Sequence, residues 1–153
     1  MYDFQRIENF TPVRPQIINV FHNSFSASEG ESEGALIRTL VGHLLENIPK
    51  PDIFVFTALH DDTVIGCGIF SRLTYSDDVR NVFILSPMAI HSDHQNKGIG
   101  QTLLRESIAA LRTHGIDILM AYGDPNYNGQ IGFLPVTEQV APPSFPLSMP
   151  IGL

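Results

Sequence analysis

One cysteine in 153 residues, Cys67, leaves the chain with no intrachain disulfide and no multi-cysteine zinc site. Basic residues are scarce as well: nine Lys and Arg stand against sixteen Asp and Glu, a net charge of −7. That balance argues against a nucleic-acid binder working through overall positive charge, and leaves room for a cationic substrate. No stretch approaches the ~18 consecutive apolar residues of a membrane span. Met1-Tyr2-Asp3-Phe4 is not the basic-then-apolar opening of a secretory signal, so cytoplasm is the expected compartment. Internal repeats and linker-like stretches are missing too. The chain therefore reads as one domain, residues 1–153.

What is present suits a folded core, with 43% apolar and 16% charged residues. Phe4 to Ile7 reads as a short first strand. Thr11-Pro12 reads as a helix start, with Ile17, Val20, Phe21 and Phe25 at helical spacing behind it. Residues 24–34, rich in Ser, Gly and Glu, predict a loop. A second helix follows, with Leu36, Ile37, Leu40, Leu44 and Leu45 as its apolar stripe, stopped by Pro49 and Pro51.

Asp52 to Leu59 predicts a well-buried strand, His60-Asp61-Asp62 a turn, and Thr63 to Leu73 the antiparallel return. Gly66 and Gly68 around Cys67 suggest a bulge or a close backbone approach. Tyr75 to Arg80 reads as a polar connection. The next buried strand, Val82 to Ile90, is interrupted at Pro87, which cannot donate a ladder hydrogen bond. Ile99, Leu103, Leu104, Ile108 and Leu111 line a helix ending near Gly115, and Ile116 to Ala121 completes a strand–helix–strand unit. The tail from Phe133 carries five prolines and predicts little regular structure.

Between the Pro87 strand and its helix lies Gln95-Asn96-Lys97-Gly98-Ile99-Gly100. The first N–H groups of a helix lack intrahelical acceptors, and glycines let an anion approach them, so this is a place for a diphosphate. The stretch resembles the Gln/Arg-x-x-Gly-x-Gly/Ala signature of the GNAT superfamily of acyl-CoA-dependent N-acyltransferases. Met88-Ala89-Ile90 resembles that family's splayed strand end, whose backbone meets the acetyl group and pantetheine arm. Gly123-Asp124-Pro125-Asn126-Tyr127-Asn128-Gly129-Gln130-Ile131-Gly132-Phe133 looks like the Gly-Asp-Pro-x-Tyr…Gly-Phe segment of its YhbS-like branch.

The resemblance implies an α/β (α+β) fold: a mixed, mainly antiparallel central sheet with a splayed strand pair and flanking helices. It implies acetyl-CoA as co-substrate, held by Met88, Ala89, Ile90, Gln95, Asn96, Lys97, Gly98, Ile99 and Gly100. It also implies an acceptor side built from the early helices and the 24–34 loop; Glu29, Glu31 and Glu33 there read either as a preference for a cation or as ordinary solvated residues. The acceptor is then a small-molecule or peptide amine, with no nucleic acid and no membrane involved.

The proton donor stays open. Many relatives place a tyrosine four residues before the Gly of Gly-Phe; that position here is Asn128, with Tyr127 one earlier and about 100° away on a helix. Tyr127 is the candidate acid, with ring packing as its bland alternative. No acidic residue stands on 82–90 as a base; Glu33, Asp77, Asp78, His91 and Asp124 are candidates. His91 and His94, with no third ligand, make poor zinc chemistry, so no metal is expected. Two functions compete: acetyl transfer to a primary amine by direct attack, and an acyl-CoA-binding module or sensor with little catalysis. Phe145, Leu147, Met149, Ile151 and Leu153 can pack on their own domain or on a second copy, as a homodimer.

Overall fold

The computed structural model describes residues 2–75 and 78–121. Five strands, β1 (Tyr2–Ile7), β2 (Ile53–His60), β3 (Thr63–Tyr75), β4 (Asp78–Ile90) and β5 (Ile118–Ala121), form one sheet in sequential order. The first four pair antiparallel and β4 pairs parallel with β5. Helices α1 (Arg14–Glu29) and α2 (Glu31–Asn47) precede β2, and α3 (Ile99–Thr113) makes the crossover from β4 to β5. The mixed sheet with flanking helices is the expected architecture.

Apolar residues run continuously through β2 because both of its faces are covered. Ile53 and Val55 join Ile17, Val20, Phe21, Ile37, Val41 and Leu45 of α1 and α2. Phe54, Phe56 and Ala58 join Phe83, Leu103, Leu104 and Leu111 on the α3 side. The turn from β2 to β3 has Asp61 and Asp62 at φ 50° and 65°, the left-handed pair that matches hairpin twist. At the far end of β4, Arg72 donates to Asp52 (2.7 Å) and Asn81 (2.8 Å), while Asn81 accepts from the Asp117 N–H (2.9 Å). That network ties the start of β5 to β4.

Three expectations change. Residues 24–34 are not a loop: α1 runs through Glu29, and Gly30 alone, at φ 98°, separates it from α2. The Ser-rich stretch stays helical because its inner face is packed; Ser24 is buried and Ser28 Oγ bonds back to the Ser24 carbonyl. Tertiary packing overrides weak propensity here.

Second, α2 is rotated from the predicted stripe. Gly34, Ile37, Val41 and Leu45 face inward, while Leu36 and Leu40 are 63% and 42% exposed. Gly34 decides this, since a Cβ there would collide with the Ser26 side chain of α1. Third, the polar connection at 75–80 is mostly strand, with Tyr75 paired to Asp78.

Pro87 does not break β4. Leu85 faces Phe70 and Met88 faces Gly68, so three steps along β4 match two along β3. The extra residue is a bulge at Ser86–Pro87, the place in a paired strand where a missing N–H is tolerated. A second shift, between Ala58 and Leu59, puts a bulge beside Gly66. Gly66 also makes the expected close approach: a Cβ would sit 2.6 Å from the Ile90 side chain.

Candidate functional site at the end of β4

Among the described residues, β4 has one neighbour beyond its bulge. Ala89 faces Cys67 and Ile90 faces Gly66 on β3, while β5 pairs with β4 only over Val82–Leu85 among the described residues. Backbone groups alternate sides along a strand. The His91 N–H donates to Ile65 of β3 at 2.7 Å. Met88 and Ile90 therefore turn their N–H and C=O groups to the opposite edge, past the point where β5 pairing ends. The Ile90 carbonyl on that edge accepts a bond from the Gln95 side chain (2.9 Å).

Gln95 is thus a latch. Its amide also reaches Ser24 Oγ of α1 at 3.3 Å, and Asn23 Oδ1 accepts the Ser92 N–H at 2.9 Å. Helix α1 holds the loop from two sides, and the Gln95 side chain is occupied with that task. Neither Asn23 nor Ser24 stood out in the sequence. They lie about seventy residues from their partners (|i−j| of 69 and 71), and no local pattern announces such a contact.

The loop then turns left-handed twice, at Asn96 (φ 64°) and Gly98 (φ 75°), and enters α3 at Ile99. Asn is among the few residues that accept this conformation, and glycine accepts it without cost. The first intrahelical bond is Thr102 N–H to the Gly98 carbonyl, 3.1 Å. The N–H groups of Ile99, Gly100 and Gln101 thus lack helical acceptors. Among the described residues no side chain caps them, and the first turn has no acidic residue to compete for them. An open cleft of about 530 Å³ lies over this end, lined by Ile90, His94, Gln95, Asn96, Gly98, Ile99, Gly100 and Gln101. Uncapped donors at the positive end of a fifteen-residue helix suit a diphosphate.

The fold therefore brings together Ile90, Gln95, Asn96, Gly98, Ile99 and Gly100 around one cleft, with Met88 and Ala89 on the strand leading to it. Lys97 is exposed on the loop. Tyr127, with the whole 123–133 segment, lies outside the described residues, as do Asp77 and Asp124. The side chain of Asp78 is also undescribed, and Glu33 is exposed in the first turn of α2.

His91 caps the turn that follows it: its Nδ1 accepts the Asp93 N–H at 3.1 Å, with the Asp93 carboxylate 3.7 Å away, and the neutral ring then carries its proton on Nε2. Cys67 is fully buried among the α1–α2 core, and burial pushes its thiol far above the ordinary range. A thiol held protonated there is no nucleophile. Native protein should show no reaction of Cys67 with a thiol reagent until denaturant is added; fast labelling of the folded chain would contradict the packing.

The profile of the Acetyltransferase (GNAT) family matches residues 15–134, which takes in the early helices from the second residue of α1, strands β2 to β5 and the cleft, with β1 before it. The chain belongs to the GNAT acetyltransferase family. Acetyl-CoA is the acetyl donor of that family. The uncharacterized N-acetyltransferase YjhQ of Escherichia coli (strain K12) is 29% identical over 98 residues, or 63% of this chain. The match spans 54% of that protein, so the chain covers about half the relative's length.

Among solved structures, a GNAT family acetyltransferase from Brucella melitensis in complex with acetyl-CoA superposes with a TM-score of 0.68. It is 22% identical, with 86% of this chain and 83% of that one covered. An aminoglycoside acetyltransferase from an uncultured soil metagenomic sample, in complex with sisomicin, gives a TM-score of 0.60 at 17% identity, covering 97% and 91%. These likenesses establish the GNAT fold. No helix among the described residues is long and apolar enough to cross a membrane.

Proposed function

We propose that this chain moves an acetyl group from acetyl-CoA to a primary amine by direct attack. The donor's diphosphate sits on the N–H groups at 95–100, and its pantetheine arm runs along Met88, Ala89 and Ile90. The observation that carries the reading is the uncapped start of α3 opening into the same cleft as Ile90, the last residue of β4. An N–H on the open edge of β4 can then stabilise the oxyanion that forms as the amine attacks the thioester. The amine nitrogen, arriving neutral, bonds to the carbonyl carbon, the C–S bond breaks, the CoA thiolate leaves, and the nitrogen gives up its extra proton to water.

The state of the one cysteine supports direct attack. The single cysteine is buried and protonated, so an acyl-cysteine has no route. Incubation with acetyl-CoA alone should leave every side chain unmodified by mass spectrometry. An acetylated side chain required for turnover overturns the direct route.

Tyr127 is the proposed acid for the departing thiolate. A thiol of pKa about 8.5 leaves with little help at neutral pH. Tyr127→Phe should therefore cost about tenfold in kcat, below the 10²–10⁴ typical of general acids, with KM for acetyl-CoA unchanged. Unaltered kcat assigns Tyr127 to packing.

The acceptor is an amine on a small molecule or peptide. A net charge of −7 and the acidic residues Glu29, Glu31 and Glu33 near the α1–α2 junction favour a cationic one. The acetyltransferases of similar fold that act on aminoglycosides, which carry several amines, agree with that class. We place the whole chain as one cytoplasmic acetyltransferase domain, with a homodimer as its candidate assembly. A panel of primary amines with acetyl-CoA, read by thiol release, tests the activity. Tight acetyl-CoA binding with no release across the panel selects the binding-module alternative, which Asn128 at the usual tyrosine position favours.

A further inference from the structure

Four ring side chains from three parts of the chain meet at the corner of the sheet beside the cleft. Tyr2 opens β1 and lies opposite His60, the last residue of β2. Their ring centroids are 5.0 Å apart, with His94 5.3 Å from His60 and 5.7 Å, edge-on, from Tyr2. His91 is 6.3 Å from His94. The Tyr2 hydroxyl is 3.0 Å from His94 Nδ1. With the hydroxyl donating, the neutral ring carries its proton on Nε2, on the opposite edge. Among the described residues that Nε2 has no partner, and His94 lines the cleft over the start of α3.

We propose that His94, oriented by Tyr2, is a side-chain donor to the phosphate groups of bound acetyl-CoA, adding to the backbone N–H groups of the helix entry. The proposal rests on the donor reading above. It gives the Tyr2–His94 bond, which joins residues ninety-two apart (|i−j| of 92), a purpose that ring packing alone leaves unexplained.

The surroundings make the contact pH-dependent. Partial burial, then the neighbouring His60, Lys97 and His91, hold His94 below the ordinary imidazole range, with Asp93 opposing them. His60 in turn has the Asp61 carboxylate at 3.5 Å. The ring is therefore neutral in the empty protein near pH 7. A phosphate anion against Nε2 favours the imidazolium, so binding takes up a proton on Nδ1, which then donates to the Tyr2 hydroxyl oxygen in a reversal of the same bond. Affinity is then greatest below the pKa of the complex and falls as pH rises through it. The 3′-phosphate of CoA titrates near pH 6 itself, as phosphate monoesters do, but equally in wild type and variants.

The test is calorimetry with acetyl-CoA at about pH 6 and pH 8, in buffers of differing ionisation enthalpy, on wild type, His94→Gln and Tyr2→Phe. His94→Gln should weaken binding about tenfold near pH 6 and under about threefold near pH 8, the scale of one charge-assisted hydrogen bond. Tyr2→Phe, which frees the ring to turn, should fall between. Wild type should take up a proton that His94→Gln does not. An equal loss at both pH values, or none, overturns the proposal while leaving the donor site standing. Wild type that binds no acetyl-CoA overturns both. Should His94→Gln not fold, the wild-type His94 ring resonances decide: they must shift on adding acetyl-CoA, and constancy overturns the proposal.

Discussion

A Gly98→Val protein should fold and lose at least about 100-fold in acetyl-CoA affinity, or ~2.7 kcal/mol. A Cβ at Gly98 meets no heavy atom within 4 Å, and this residue lines the cleft, so a valine side chain takes up cleft space at the proposed diphosphate site. The left-handed φ of 75° adds strain of about 1–2 kcal/mol for an L residue. A chain stable by about 5–15 kcal/mol survives that. Gly115 is the control. It has φ 80° and equally open surroundings, but stands after the other end of α3, away from the cleft. Gly115→Val should carry the same strain and bind acetyl-CoA normally. Calorimetry with a thermal melt on each variant separates occlusion from strain. Equal affinity in folded Gly98→Val would remove the diphosphate from residues 95–100.

Phe83→Ala should cost about 3–5 kcal/mol of stability, the usual range for a buried phenylalanine. The ring is fully buried on the α3 side of the sheet, edge-on to Phe54 at 5.2 Å and under the Arg72 guanidinium at 4.8 Å. Phe83 also stands opposite Leu119 where β4 and β5 pair, so its loss loosens the junction that precedes the open edge. Urea unfolding should show a lower midpoint with an unchanged slope. A loss under about 1 kcal/mol would mean the core refills around the gap, contrary to close packing.

Some of this was legible in the order of residues because the signals are local. The apolar run of β2, the heptad-like spacing of Ile99, Leu103, Leu104 and Leu111, and the glycines of the helix entry each depend on near neighbours. Their places in the fold match expectation. Residues 24–34 depart from expectation for the same reason: Ser, Gly and Glu favour a loop only while nothing packs on them, and burial of Ser24 against the loop before α3 reverses that. The α2 stripe departs because several leucines admit more than one inward face, and the close approach of Gly34 to Ser26 selects another.

The entry to α3 was visible from the start as a place for a phosphate, since uncapped N–H groups and glycines are properties of a few consecutive residues. The chain folded around it decided the rest. Only pairing with β3 shows that Met88 and Ile90 face the open edge, because strand alternation needs a partner to set its phase. Only packing turns the Gln95 amide onto the Ile90 carbonyl as a latch and brings Tyr2 to His94. Contacts across seventy to ninety residues leave no trace in local spacing, and there the three-dimensional arrangement alone chooses.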